Sequence, residues 1–201
     1  MTRWIFIRHG ESIANREGWL SGQRDVALSV DGYAQAQRAA KALFDYDFTY
    51  AYASDLSRAA DTARLILTGR SVELQLTPLL RERACGRFEG TSYADAKASH
   101  LAKTLQSFDG VPDRGESLRG TAVRALEFLS SLSHLGTDDV VLVASHGALM
   151  RALVGSLDRV CESKISHWRP KNCEWVERKV SVRQWRDLLK TIRHDHQGAL
   201  L

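Results

Sequence analysis

The stretch Trp4-Ile5-Phe6-Ile7-Arg8-His9-Gly10-Glu11-Ser12 decides the reading of the chain. Its first four residues are aromatic or β-branched and stop abruptly at charge, the pattern of a buried β-strand. In an open α/β sheet, ligands bind where the chain leaves the carboxyl ends of the strands. A cation, an imidazole and a glycine therefore stand where small-molecule chemistry is usually done. Arg8 offers a planar fork of donors that matches phosphate oxygens. His9 offers a nitrogen that can serve as nucleophile or base near neutral pH. Gly10 permits a tight turn and a close backbone approach to a ligand.

Outward from this stretch, strands and helices alternate. A long polar loop runs to Ser29, which can N-cap a helix carrying Tyr33, Ala36, Ala40, Leu43 and Phe44 at helical spacing. Residues 50–53 read as a short strand, 57–67 as a helix with Ala59, Ala63, Ile66 and Leu67 inward, and 72–76 as a third strand. Residues 78–90 are irregular, 92–108 read as a helix over the site, and 116–135 as a long amphipathic helix. The run Val140-Val141-Leu142-Val143-Ala144 is the clearest buried strand and leads into Ser145-His146-Gly147 and a helix over 148–157. At the end, 173–178 and 180–185 are expected as a hairpin or two outer strands, and 187–194 as a short helix. The alternation predicts an α/β fold with a mostly parallel sheet covered on both faces.

The 201 residues suffice for a sizeable core and are expected to form a single domain over 1–201. No apolar run is long enough to span a membrane, and a chain whose first residues lead directly into the strand is expected to carry no secretory leader. Cys85, Cys161 and Cys173 are odd in number and widely spaced, which fits neither a disulfide framework nor a zinc site. A reducing cytoplasm is the expected compartment. The net charge of +4 is uneven: residues 158–193 carry ten Lys/Arg against five Asp/Glu. That segment reads as a solvated face, and its Trp168, Trp175 and Trp185 as core or edge packing rather than a base-stacking platform. His194-Asp195-His196 looks like a metal-binding tract but stands alone near the end of the chain.

Arg8-His9-Gly10-Glu11-Ser12 resembles the signature of the histidine phosphatase superfamily, also called the phosphoglycerate mutase-like family. The likeness continues through Asn15, Ser21-Gly22, Asp25, Ser54, Arg58-Ala59, Thr62-Ala63, Glu82, Glu89-Gly90, Gly115-Glu116-Ser117 and Ser145-His146-Gly147. The resemblance implies a three-layer α/β/α sandwich with one antiparallel edge strand. It also implies that His9 attacks phosphorus and becomes phosphohistidine, while Arg8, Arg58 and His146 stabilise charge on the transferring oxygens. One His9 nitrogen is expected to donate to a backbone carbonyl, leaving the other unprotonated. Glu82 matches the family position of the general acid, with Glu11 and Glu89 as alternatives, Glu11 more as a buttress of the loop. Asn15, Ser21, Gly22 and Gly147 are expected to contact the phosphate, and Ser145 and Asn172 to orient the site from outside.

Within the family the residues lean toward the phosphatases. Dedicated mutases usually carry a Tyr three residues after the acid, where this chain has Cys85, and a longer segment with paired Arg before Gly-Glu-Ser, where residues 107–114 are short. Arg87-Phe88-Glu89-Gly90 looks like the aromatic-Glu-Gly stretch of the phosphatase branches. The expectation is thus a phosphomonoesterase of the histidine acid phosphatase type that uses neither cofactor nor metal. The alternatives are a cofactor-dependent phosphoglycerate mutase and a non-catalytic phosphate- or phosphoprotein-binding module. The expected partner is a small phosphomonoester, with neither nucleic acid nor membrane; a homodimer is left open.

Overall fold

The computed structural model describes residues 1–99, 101–165 and 168–198. Strand β1 (Arg3–Arg8) is followed by helices α1 (Ile13–Glu17) and α2 (Val30–Ala42), strand β2 (Tyr50–Ser54), helix α3 (Ser57–Ile66) and strand β3 (Leu74–Thr77). Short helices α4 (Tyr93–Ala98) and α5 (Leu101–Gln106) precede α6 (Leu118–Ser131), strand β4 (Val140–Ser145) and α7 (Gly147–Leu157). The chain ends with α8 (Glu162–Ile165), strand β5 (Trp175–Lys179) and α9 (Val182–Gly198). The five strands are ordered β3-β2-β4-β1-β5, all parallel except β5, which pairs antiparallel with β1 at one edge. This is the α/β sandwich with an antiparallel edge strand expected above.

Side-chain alternation along β1 builds both faces of the core. Trp4 and Phe6 point to the side covered by α6, α7 and α9, and Ile5 and Ile7 to the side covered by α2 and α3. Central β4 is buried at every residue, as a parallel strand covered on both faces must be. Trp185 of α9 is fully buried and packs edge-on against Trp4 and Phe6, with ring centroids at 5.6 and 6.0 Å.

Several element boundaries differ from the sequence reading, each for a local reason. The polar loop after β1 holds the short helix α1, because Ser12 and Asn15 form a reciprocal capping box. Residues 92–108 form two helices: Ser99 leaves the helical region at ψ 167°, and its hydroxyl donates to Ala96 O at 2.9 Å. Helix α6 starts only at Leu118, because the Ser117 hydroxyl accepts from Gly120 N at 2.9 Å and fixes the N-cap there. The inner stripe of α3 is buried as expected, whereas Phe44 lies past the end of α2 and is exposed. The expected second outer strand over 180–185 is instead the start of α9. Ser181 and Gln184 exchange hydrogen bonds, Gln184 N to Ser181 Oγ at 3.3 Å and Ser181 N to Gln184 Oε1 at 2.9 Å. That Ser-x-x-Gln spacing was the signal for the helix.

Candidate active site

Three neighbouring parallel strands, β2, β4 and β1, release their chains at the same edge of the sheet. Arg8 pairs in register with Ser145, so the next residues, His9 and His146, come side by side. Their rings are 5.1 Å apart between centroids and inclined by 62°. Arg58 stands in the first turn of α3, just after β2. Its NH1 donates to Arg24 O at 2.9 Å and its NH2 to Gly22 O at 2.8 Å, which ties the 20–25 loop to the site.

The His9 Nδ1 lies 2.6 Å from Gly10 O. A carbonyl only accepts, so this contact places the proton on Nδ1 and leaves the Nε2 lone pair free. Burial first, then the charges of Arg58 and Arg8, hold the His9 pKa well below the ordinary histidine range; burial and Arg58 do the same to His146. Around His9, the buried nitrogens Arg8 Nε, Arg58 Nε and both ring nitrogens of His146 have no hydrogen-bond partner within the protein. Four such atoms in one place are uncommon in a folded interior. Arg8 Nε, Arg58 Nε and one nitrogen of the neutral His146 ring carry protons and are free to donate to the oxygens of an oxyanion.

A cavity of about 470 Å³ opens in front of this group, with Arg8, His9, Asn15, Ser21, Gly22, Glu82 and Gly147 in its wall. Arg58 and His146 are fully buried behind that wall rather than in it. Arg8 is steered by a bond from its NH1 to Pro170 O at 2.8 Å. Asn172 Nδ2 donates to His9 O at 3.0 Å and to Asn15 Oδ1 at 3.2 Å, so Asn172 braces both residues from outside the cavity. Ser145 Oγ donates to Leu80 O at 2.8 Å and anchors the segment that carries Glu82. Gly22 has φ +51°, and a Cβ there would meet the Glu89 carboxylate at 2.1 Å. Gly10 is also packed closely within the protein. A Cβ there would lie 2.5 Å from Gly32 O, at the start of α2.

Among the three candidate acids, only Glu82 lines the cavity. Its Oε1 accepts from Arg83 N at 2.9 Å and from Ala148 N, at the first turn of α7, at 3.1 Å. Glu11 accepts from Ser29 Oγ at 2.6 Å, the buttressing position expected of it. Glu89 accepts from Gln23 N at 3.0 Å and Cys85 N at 3.1 Å, and holds the 20–25 loop against the 85–90 turn. The arginines flanking Glu82 have structural tasks. Arg81 forms a two-point pair with Asp55 at 2.7 and 2.6 Å, and buried Arg83 donates to Glu116 O, Leu105 O, Thr104 O and Gly110 O. Burial pushes the Cys85 thiol up to about 12, so it stays protonated near neutral pH.

No group of three or more His, Cys, Asp or Glu side chains able to hold a metal stands together among the described residues. His194 lies on α9; the side chains of Asp195 and His196 fall outside the described residues. No described helix is long and apolar enough to cross a membrane. No disulfide joins Cys85, Cys161 or Cys173 among the described residues.

A parallel α/β sheet that presents Arg-His-Gly at one strand end, a second His at the next and an Arg at the third defines a histidine-centred oxyanion pocket. The chain belongs to the histidine phosphatase superfamily (branch 1), whose profile matches residues 4–191. It is 33% identical over 186 residues to a 2,3-bisphosphoglycerate-dependent phosphoglycerate mutase 2 of Gloeobacter violaceus, covering 88% of this chain and 81% of that protein. It is 30% identical over 179 residues to the adenosylcobalamin/alpha-ribazole phosphatase of Escherichia coli, covering 87% and 88% respectively. A mycobacterial glucosyl-3-phosphoglycerate phosphatase solved in complex with VO3 superposes with a TM-score of 0.81 at 26% identity, covering 87% of this chain and 91% of that one.

Proposed function

We propose that this chain is a phosphomonoesterase that works through a phosphohistidine on His9. The observation that carries the reading is the cluster of unpartnered buried nitrogens from Arg8, Arg58 and His146 around a His9 whose Nε2 lone pair is free. Catalysis of phosphoryl transfer asks the protein for an in-line nucleophile and for charge on the equatorial oxygens, and little else. In this reading His9 Nε2 attacks phosphorus as the P–O bond to the alcohol breaks. Glu82 delivers the proton the leaving alkoxide needs, then removes one from the water that hydrolyses the N–P bond, returning His9 and inorganic phosphate. Asn15, Ser21, Gly22 and Gly147 complete the phosphate cradle. Transfer to water is supported by Cys85, by the short 107–114 segment, and by the likeness to the named phosphatases.

Identity to a phosphoglycerate mutase of 33% favours a second reading, in which phosphohistidine is returned to an organic acceptor. One assay decides between them and also tests for a module that only binds. Phosphate release is measured from p-nitrophenyl phosphate and from a panel of natural phosphomonoesters. In parallel, 3-phosphoglycerate is converted with catalytic 2,3-bisphosphoglycerate present. Release well above interconversion supports the phosphatase; interconversion well above release overturns it, and the absence of both overturns any catalytic reading.

A further inference from the structure

Asn15, a member of the proposed phosphate cradle, is held by three separate groups of the protein. Its Oδ1 accepts from Ser12 N at 3.2 Å and from Asn172 Nδ2 at 3.2 Å. Its Nδ2 donates to the phenolic oxygen of Tyr93 at 3.1 Å. The Ser12 N–H can only donate, so the atom facing it is the amide oxygen, and the orientation of the whole side chain follows. An asparagine side chain offers two acceptor positions and two protons. Both acceptor positions and one proton are used within the protein. The second Nδ2 proton meets no acceptor among the described residues, and Asn15 stands in the cavity wall. That proton is what Asn15 has to offer a phosphoryl oxygen.

Tyr93 belongs to another part of the fold. It is the first residue of α4, and α4 and α5 contribute Tyr93, Ala96, Lys97, Ala102 and Leu105 to the cavity wall. The start of α4 is fastened beside the end of α1: Tyr93 N donates to Gly18 O at 2.8 Å, Leu20 N donates to Thr91 O at 2.9 Å, and Trp19 bridges to Ser92. The phenol is therefore brought to Asn15 by backbone pairing. Tyr93 is 43% exposed, so its hydroxyl is not needed to fill the core. One chain of hydrogen bonds runs from Tyr93 through Asn15 to Asn172, whose Nδ2 also holds His9 O.

We infer that Tyr93 is a positioning residue of the phosphate site: its phenolic oxygen takes one Nδ2 proton of Asn15 and so aims the other at the phosphoryl group. The two N–H bonds of an amide diverge by about 120°, so two acceptors at about 3 Å stand roughly 5 Å apart. The Tyr93 oxygen is then out of reach of the phosphoryl oxygen that Asn15 binds, and Tyr93 acts through Asn15. This inference rests on the reading of Asn15 as a phosphate ligand, and the test decides the two separately.

The test is a double-mutant cycle between Asn15 and Tyr93. It is read on the dissociation constant of orthovanadate, a phosphate analogue, by calorimetry, and on kcat/KM for p-nitrophenyl phosphate and an alkyl phosphate. Asn15→Ala should weaken vanadate binding by roughly tenfold to a hundredfold, the range of a hydrogen bond to a charged group. Tyr93→Phe keeps the ring and should weaken it by roughly threefold to tenfold, the range of one neutral hydrogen bond. Added to Asn15→Ala, the same change should have no effect within about twofold, whereas a tyrosine that only packs would give one factor in both backgrounds. The kcat/KM loss from Tyr93→Phe should be alike on aryl and alkyl esters, because the group acted on is the phosphoryl group. Equal factors in both backgrounds, wild-type vanadate affinity in Tyr93→Phe, or a loss confined to one ester, as direct contact with the organic part would give, overturn the inference and leave Asn15 in the cradle. Wild-type vanadate affinity in Asn15→Ala removes Asn15 from the cradle and the inference with it. The expected coupling on vanadate without hydrolysis of any ester supports the positioning role and overturns the phosphatase reading.

Discussion

Both carboxylate oxygens of Glu82 lie against the backbone N–H of Ala148, Oε1 at 3.1 Å and Oε2 at 3.2 Å. The candidate acid is thus fixed to the first turn of the helix that follows His146, two elements that are remote in sequence. An acid held in this way should matter in proportion to the basicity of the oxygen that leaves. Glu82→Gln keeps the shape and one acceptor, and should slow the single-turnover burst on an alkyl phosphate by about a hundredfold to ten-thousandfold. On p-nitrophenyl phosphate, whose phenolate leaves without a proton, the loss should be much smaller. Equal losses on the two substrates would remove Glu82 from the role.

His9 is expected to carry the phosphoryl group. Rapid mixing with labelled substrate and quenching in alkali should trap an acid-labile, base-stable phosphoprotein, and His9→Ala should trap none. Full labelling of that variant would place the nucleophile elsewhere.

Arg58 is given two tasks at once: its terminal nitrogens hold Arg24 O and Gly22 O, while its buried Nε, behind the cavity wall, has no partner in the protein. Arg58→Ala should slow the burst on alkyl and aryl phosphates alike, because the charge it meets is on the phosphoryl group. It should also lower stability by about 1–3 kcal/mol in urea, the cost of leaving buried carbonyls unpaired. A variant with wild-type stability and a loss confined to one substrate would contradict both tasks.

Acidification should destabilise the fold before the carboxylates titrate. His9 and His146 have folded pKa values depressed well below the ordinary 6.5, chiefly by burial. Between the folded and unfolded values the unfolded chain binds more protons, so stability is complete above about pH 6.5 and falls as pH drops below it. The slope should reach at most about 1.4 kcal/mol per pH unit for each histidine. Urea unfolding at pH 7.5, 6.5 and 5.5 measures it, and His146→Asn should reduce the slope. A flat profile across that window would mean that the two rings protonate without cost in the fold.

Gly10 and Gly32 approach each other so closely that neither tolerates a Cβ: one at Gly10 would meet Gly32 O at 2.5 Å, and one at Gly32 would meet Glu11 O at 2.0 Å. Gly10→Ala should cost about 1–3 kcal/mol in stability, as overpacking does. It should also lower kcat, since residue 10 supplies the carbonyl that orients His9. Gly120→Ala on α6, where a Cβ meets nothing closer than 3.4 Å, should be neutral or stabilising. A neutral Gly10→Ala would refute the packing account.

The sequence by itself determined the β1 strand with His9 at its end, the buried β4 strand with His146 at its end, and the family. These signals are local: an apolar run stopped by a charged or polar motif marks a strand end, and such ends gather at one edge of a parallel sheet. The later part of the last helix was legible, at 187–194, but its start was not: Val180 and Val182 fit a strand period, and only the Ser181–Gln184 cap marked the turn to helix.

Only the tertiary structure decided what each polar residue is used for. Arg83 and Arg151 are the same side chain near the same acid, yet one is committed to four backbone carbonyls and the other has an unpartnered Nε in the cavity wall. Glu82 was favoured over Glu11 and Glu89 by the family likeness alone, and their partners separated the three: the start of a helix, a serine hydroxyl, and two loop amides. A donor or acceptor is assigned by what lies within about 3 Å of it. For these residues that neighbour comes from another part of the chain, which no local pattern encodes.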